Sequence, residues 1–416
     1  MSYDEDVPES MFGSIAAFEG IADAQTIING PTGCKYPPAA KSEDLFLRGS
    51  YDPYEYMDRF YFSQPRVPCT YMDSDDLILG TDEKLKEISN RILEQKVGLL
   101  GLINSPGAAL IGSKLDVVDN KEIPVVSMEG PGYSESFDDG FKDTIIAVLE
   151  KVCTRKEKKR MTVNVIGLSI NEVSWKDDID EIRSLLSDCG ITVIAFIGAG
   201  CTVEEIRESP SAELNIVLHR NLGDRIAEWY EDRFSIPYID AGFPLGFDAI
   251  DNWIDSICNR MKADKTAASK RILEARRWTA NEIDHINKYT RIPAGYTFSI
   301  CANGPLTYHI TKMLYEYLGM LPVAIKTNDS SYDDEMSELL SDIGLDVTDD
   351  VFETEADIFL GSANLASDLL FRDMVGGAVN IETPRMSRVY IKKRPLLGIE
   401  GTKVIIDEVM NSISSI

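Results

Sequence analysis

Ile28-Asn29-Gly30-Pro31-Thr32-Gly33-Cys34 opens, and Pro68-Cys69-Thr70-Tyr71-Met72-Asp73-Ser74-Asp75-Asp76-Leu77-Ile78-Leu79-Gly80 closes, the stretch that decides how this chain is read. The apolar segment Gln25 to Ile28 has strand character and runs straight into Gly-Pro-Thr-Gly. Glycine permits positive φ and close approach of main chains, and proline sets the turn, so Cys34 is expected on a rigid elbow at a strand end. A thiolate there, beside backbone N–H groups, suits an iron–sulfur cluster: small residues let it lie against the main chain, and amides tune its potential. A buried structural cysteine in a tight turn is the other reading of the same residues.

Composition narrows the surroundings. A chain of 416 residues implies two or three domains, and 44% hydrophobic residues suffice for large cores. The 69 acidic against 42 basic residues leave a net charge of −27, which disfavours nucleic acid and anionic membranes and favours a partner with a basic face. The acidic opening Met1-Ser2-Tyr3-Asp4-Glu5-Asp6 lacks the basic-then-apolar pattern of a secretory signal, and no window nears 18 consecutive apolar residues. Seven scattered cysteines (34, 69, 153, 189, 201, 258 and 301) suit a reducing cytoplasm better than a disulfide framework.

Outward from the elbow, short apolar runs alternate with helical patterns. Residues 11 to 27 read as a small-residue helix, and Asp82 to Leu93 as an amphipathic one with acids in its first turn. Val97 to Ile103 and Ile123 onward read as buried parallel strands. The basic patch Arg155-Lys156-Glu157-Lys158-Lys159-Arg160 reads as a solvated linker. Beyond it, strands are expected at 162–168, 192–196, 214–218, 236–239, 295–301, 322–326 and 357–362, with helices between, a long helical stretch from 247 to about 290, and a final helix after Pro395 to Gly401. Such alternation predicts parallel sheets flanked by helices. Gly198-Ala199-Gly200 imitates a dinucleotide loop, but Val203 stands where the third glycine belongs.

The Cys34 elbow, the tyrosine-rich insertion after it, Asp73 to Gly80, the segment Leu214 to Phe243 and the closing Pro395 to Gly401 together resemble the nitrogenase component 1 proteins. That family includes nitrogenase subunits, cofactor-assembly scaffolds, dark-operative protochlorophyllide reductase subunits and the nickel-tetrapyrrole reductive cyclase. The resemblance implies an α/β chain of three Rossmann-like domains with parallel sheets flanked by helices, divided at 1–160, 161–294 and 295–416. It also implies low-potential electrons from an ATP-dependent iron protein, in agreement with the lack of a Walker A loop here. Three departures stand out. The family's first cluster cysteine is missing near Phe12 and Gly13; Ser105-Pro106 replaces its Cys-Pro, with one extra residue in the spacing; and His219 occupies the place where catalytic subunits anchor an iron–molybdenum cofactor by cysteine.

Cys34 is therefore the first candidate ligand, and Cys69 either ligates with it or is structural. Two thiolates per chain, doubled by a twofold axis, would supply the four that a [4Fe–4S] or larger cluster takes at a subunit interface. A heterodimer or heterotetramer with a second component 1-like subunit, whose partner brings three, satisfies the same arithmetic. His219 is a strand-end hydrogen-bonding residue, a pocket residue or a metal ligand, so a second metallocofactor or a tetrapyrrole substrate stays open; with three histidines in all, a multi-histidine site is disfavoured. Among the aromatic and basic residues of 35–66, a surface excursion by the reading of its spacing, Arg48 is a pocket candidate by resemblance. Three functions follow as expectations: a cytoplasmic nitrogenase-like oxidoreductase, a scaffold for metallocofactor assembly, or a small-molecule-binding protein without redox chemistry.

Overall fold

A computed structural model describes residues 10–31, 34, 67–95, 97–130, 135–290, 293–383 and 391–414. Arg48 and the tyrosine-rich insertion lie outside the described residues. The strands are β1 (Ala24–Asn29), β2 (Leu99–Asn104), β3 (Val125–Met128), β4 (Thr162–Ile166), β5 (Thr192–Ile197), β6 (Leu214–Val217), β7 (Tyr238–Asp240), β8 (Thr297–Ala302), β9 (Leu321–Thr327), β10 (Ala356–Ser362) and β11 (Val375–Glu382). They form three sheets, ordered β1-β2-β3, β5-β4-β6-β7 and β11-β10-β8-β9. β1–β2, β2–β3, β4–β6, β8–β9, β8–β10 and β10–β11 pair in parallel. Each sheet falls within one of the three segments expected from sequence, while the chain packs as two compact units, Met1–Asn171 with Val193–Ile239, and Glu172–Thr192 with Asp240–Ile416.

In the first unit, β1 and β2 are buried on both faces, which explains the largely apolar run of β2. The opening helix is shorter than its sequence pattern suggests: it ends at Glu19, and residues 24–29 are already strand. It crosses the helix Phe137–Val152 with almost no space between them. A Cβ on Gly13 would lie 2.0 Å from the Phe137 carbonyl oxygen, and one on Gly140 would lie 1.9 Å from that of Ser10. Small residues here serve close packing of two helices against the sheet. The basic linker is tethered, since Lys156 and Lys159 both pair with Glu208 at 2.6 and 3.0 Å.

In the second unit, the long helical stretch is two helices, Phe247–Met261 and Thr266–Thr290, broken where Lys262 turns left-handed at φ +57°. The last helix, Gly398–Ser414, begins inside the segment expected to precede it. Helices Asp333–Ile343 and Ala363–Phe371 and strand β11 were not foreseen; β11 carries Gly376-Gly377, which dilutes its apolar pattern.

Candidate functional site

At the carboxyl end of β1 the chain is held by one side chain. Asn29 is fully buried, and both halves of its amide are in use. Its Nδ2 donates to Asn104 Oδ1 and to Ser113 Oγ, each at 2.9 Å. Its Oδ1 accepts from Thr70 Oγ1 at 3.0 Å and from Thr81 Oγ1 at 2.7 Å. Thr70 Oγ1 in turn accepts the Gly30 N–H at 2.9 Å, and Asn104 Nδ2 donates to the Ser113 carbonyl at 2.8 Å. A buried amide with all four positions satisfied fixes its partners to one arrangement. Here it joins the elbow after β1, the segment from Pro68 to Met72, the start of the helix Asp82–Leu93 and the turn after β2.

Cys34 stands half-buried just beyond this knot, its N–H donating to the Pro31 carbonyl at 3.1 Å. Cys69 is fully buried and bridges β1 opposite Ile28, with the Ile28 N–H donating to the Pro68 carbonyl and the Thr70 N–H to that of Ile28. Both candidate thiols thus belong to the same strand end. Gly30 is needed there for close approach: a Cβ would lie 2.4 Å from Ser105 Oγ. Ser105 itself is buried and caps the helix Pro106–Leu110, its Oγ accepting the Ala108 N–H at 3.3 Å. Gly13, one of the two residues near the missing family cysteine, has no room for a side chain against Phe137.

Near this apex, among the described residues, aliphatic side chains stand exposed beside polar ones such as Asp73, Ser74 and Asp75. Leu77, Ile78 and Leu79 are 51%, 84% and 84% exposed on the short helix Asp76–Leu79, and Leu110 and Ile111 are 74% and 43% exposed in the turn after β2. Thr81 and Ser113, which follow these two segments, are two of the four residues that bind the Asn29 side chain. The short helix is anchored by reciprocal contacts: Asp73 Oδ1 accepts from the Asp75 and Asp76 N–H groups, and Asp76 Oδ2 accepts the Asp73 N–H. Those backbone donors, the Asp76 N–H first, hold the Asp73 carboxyl below its usual range. The rim is held in place, with its aliphatic side chains turned outward.

His219 belongs to another sheet. It follows β6 and precedes the helix Arg220–Phe234, buried, with its backbone against Gly167, where a Cβ would lie 2.6 Å from the His219 carbonyl oxygen. The second sheet reverses strand order between β4 and β6, so Gly167 and His219 mark its switch point, the usual ligand crevice of such sheets. The structure brings Cys34 and Cys69 to one strand end and leaves His219 at a different one. Gly198 and Gly200 pack against the turn at Gly20, whose Cβ would lie 2.1 Å from the Gly198 carbonyl oxygen, so these glycines serve chain packing. Burial pushes the Cys153 and Cys201 thiols up to about 12, which keeps both protonated near neutral pH.

The second unit holds a cavity of about 10 Å³, room for one water, lined by Glu172, Ser174, Asp178, Asn303, Glu382 and apolar side chains including Phe243. Nothing in the sequence pattern marked it. Asp178 is its buried acid, and its Oδ1 accepts the Leu396 and Leu397 N–H groups at 2.7 and 2.9 Å. Burial, with Glu172 and Asp177 nearby, raises this carboxyl well above 3.8. A raised native value means that the stability it contributes is complete below the unfolded value and is lost as pH rises through the native one. Asp178→Asn keeps the acceptor and removes the proton. Between those two values the wild-type protein is expected to lose up to about 1.4 kcal/mol per pH unit relative to the variant, readable from melting curves taken across the pH range.

Comparison with known proteins decides the family. The family described as nitrogenase component 1 type oxidoreductase matches residues 10–414. The chain belongs to this family. Among its relatives, a light-independent protochlorophyllide reductase subunit from Prochlorococcus marinus (strain NATL1A) is 24% identical over 382 residues, covering 83% of this chain and 69% of that protein. The nitrogenase iron-molybdenum cofactor biosynthesis protein NifE of Clostridium pasteurianum is 25% identical over 370 residues, covering 84% and 76%. The solved structure of nitrogenase Cp1 at pH 6.5 superimposes with a TM-score of 0.79 over 98% of this chain and 92% of that one, at 16% identity, which shows a shared fold. The component 1 α/β fold with three parallel sheets is thus established. No helix among the described residues is long and apolar enough to cross a membrane.

Proposed function

We propose that this chain is a subunit of a nitrogenase-like two-component reductase, served by an ATP-dependent iron protein, with Cys34 and Cys69 as its contribution to an iron–sulfur cluster shared with a second component 1-like subunit. The observation that carries this reading is the pairing of both thiols at the Asn29 knot with an exposed aliphatic rim, Leu77 to Leu79 with Leu110 and Ile111. The donor set fits such a group in part: among the described residues no three His, Cys, Asp or Glu side chains gather to hold a metal, so one chain's described residues offer an incomplete set. When bound, such a cluster supplies one-electron transfer at low potential. The chain's own residues bind it and exclude water: Cys69 from within, Cys34 from the apex, Gly30 by allowing the main chains to close up. Membership of an oxidoreductase family and similarity to a protochlorophyllide reductase subunit support catalysis; the substrate crevice proposed for it is the switch point at His219.

Similarity to the NifE protein favours a second reading, a scaffold on which a metallocofactor is assembled. Anaerobic purification followed by turnover assays separates the two. A brown, iron-containing protein that reduces a tetrapyrrole or small-molecule substrate only with ATP and an added iron protein supports the reductase. A brown protein that turns over nothing but releases a metallocofactor to an acceptor supports the scaffold. A colourless, iron-free protein refutes both.

A further inference from the structure

One histidine remains outside the proposed site. His309 lies on the helix Gly304–Leu318 with its imidazole among aromatic rings: Tyr308 edge-on with centroids 5.0 Å apart, Tyr332 edge-on at 5.6 Å and Phe243 tilted at 5.7 Å. Its Nε2 is covered and, among the described residues, has no hydrogen-bond partner. A second proton would sit there in an aromatic enclosure without an acceptor, which is costly. Lys312, one turn along the helix, adds positive charge. Asp329, on the turn that leads to Tyr332, is already taken by the Gly304 and Ser331 N–H groups at 2.8 and 2.9 Å. Phe243 joins this enclosure to the cavity of Glu172, Asp178 and Glu382, which it also lines. Gly242 and Gly246 bracket it at φ +82° and +89°, and the last helix ties down its neighbours: the Pro244 carbonyl accepts the Gly398 N–H at 2.8 Å, and the Gly246 N–H donates to Thr402 Oγ1 at 3.0 Å.

We propose that His309 is an acid-triggered latch: on taking a second proton the imidazolium leaves its aromatic enclosure, displaces Phe243 and opens the cavity that Phe243 lines to water. The carboxyl groups of that cavity give the cation acceptors that the rings do not. Burial, helped by Lys312 and opposed by a hydrogen bond with the Leu245 backbone, holds the closed imidazole at about 3 against the ordinary 6.5. Because the native value lies below the unfolded one, the stability from this group is complete above 6.5 and is lost as pH falls from there toward 3. Within that window the equilibrium constant for opening should rise about tenfold per pH unit. This inference is independent of the cluster and of the His219 crevice, since every residue in it belongs to the second unit.

The test follows hydrogen–deuterium exchange of the full-length protein by mass spectrometry from about pH 8 down to about pH 4, at the histidine C2 carbons and at the backbone amides around Phe243. Each histidine then reports its own titration. The His309 midpoint is expected well below 6.5, and the amides around Phe243, corrected for their intrinsic rates, are expected to exchange about tenfold faster for each pH unit of acidification. His309→Gln keeps a donor for the Leu245 backbone and cannot take the charge, so this acceleration should vanish in the variant. A His309 midpoint near 6.5 overturns the proposal, as does equal acceleration of these amides in wild type and variant. The wild-type histidine titration decides by itself should the variant fail to fold.

Discussion

Cys34→Ala is expected to strip the anaerobically purified protein of its iron and visible colour while leaving its melting temperature almost unchanged. Cys34 is half-buried, so truncating it to alanine removes only part of one side chain's packing, and a cost within about 1 kcal/mol is expected. A missing thiolate is a different matter for an iron site, since each ligand removed leaves an open coordination position that serine or water fills poorly. Cys201→Ala is the control. That thiol is buried at 2% exposure, bridges Ile21 and is held protonated, so its loss should lower stability by about 1–2 kcal/mol and leave iron content alone. Cys69→Ala should do both, because the residue is fully buried and also a candidate ligand. Iron measured per chain and melting curves on the same three preparations settle the matter. Unchanged iron in Cys34→Ala would remove the elbow from the site.

The largest loss of stability is expected from Asn29→Ala. Four side-chain hydrogen bonds vanish at once: buried Asn104, Thr70 and Thr81 lose a partner where water does not reach, and half-buried Ser113 loses one too. Each such bond contributes about 1 kcal/mol net, and buried groups left unpaired add to the cost, so roughly 3–5 kcal/mol is expected. For a unit of this size that corresponds to a fall of about 10 °C in melting temperature. Asn29→Asp separates geometry from polarity. It still accepts from both threonines but no longer donates to Asn104 and Ser113, so it should fall between alanine and wild type. Because the same amide positions the Cys34 elbow against the Cys69 segment, iron occupancy should fall with stability in both variants. A loss under about 1 kcal/mol for alanine would show that the knot is replaceable by water.

The fold was largely legible because its signals are local. Parallel strands buried on both faces read as continuous apolar runs, and helices announce themselves by period and by acids in the first turn, as in Asp82–Leu93. Boundaries were less legible. The helix ending at Glu19 and the break at Lys262 depend on close packing and on a left-handed residue that no apolar pattern records. Strand β11 escaped because Gly376-Gly377 interrupts its alternation, and the pairing with β10 that rescues it is a contact between segments.

Taken alone, the chain of residues determined an α/β architecture, an acidic surface, and the glycine-proline elbow that singled out Cys34, since each rests on neighbours in sequence. Only the tertiary structure decided what holds that elbow. The partners of Asn29 lie 41, 52, 75 and 84 positions away, and a lone asparagine at a strand end looks like any other. The same holds for Gly13, whose want of a side chain makes sense once Phe137 is set against it. Hydrogen bonds and close contacts act over about 3 Å of space whatever the separation along the chain, so residues far apart acquire meaning only when folding brings them together.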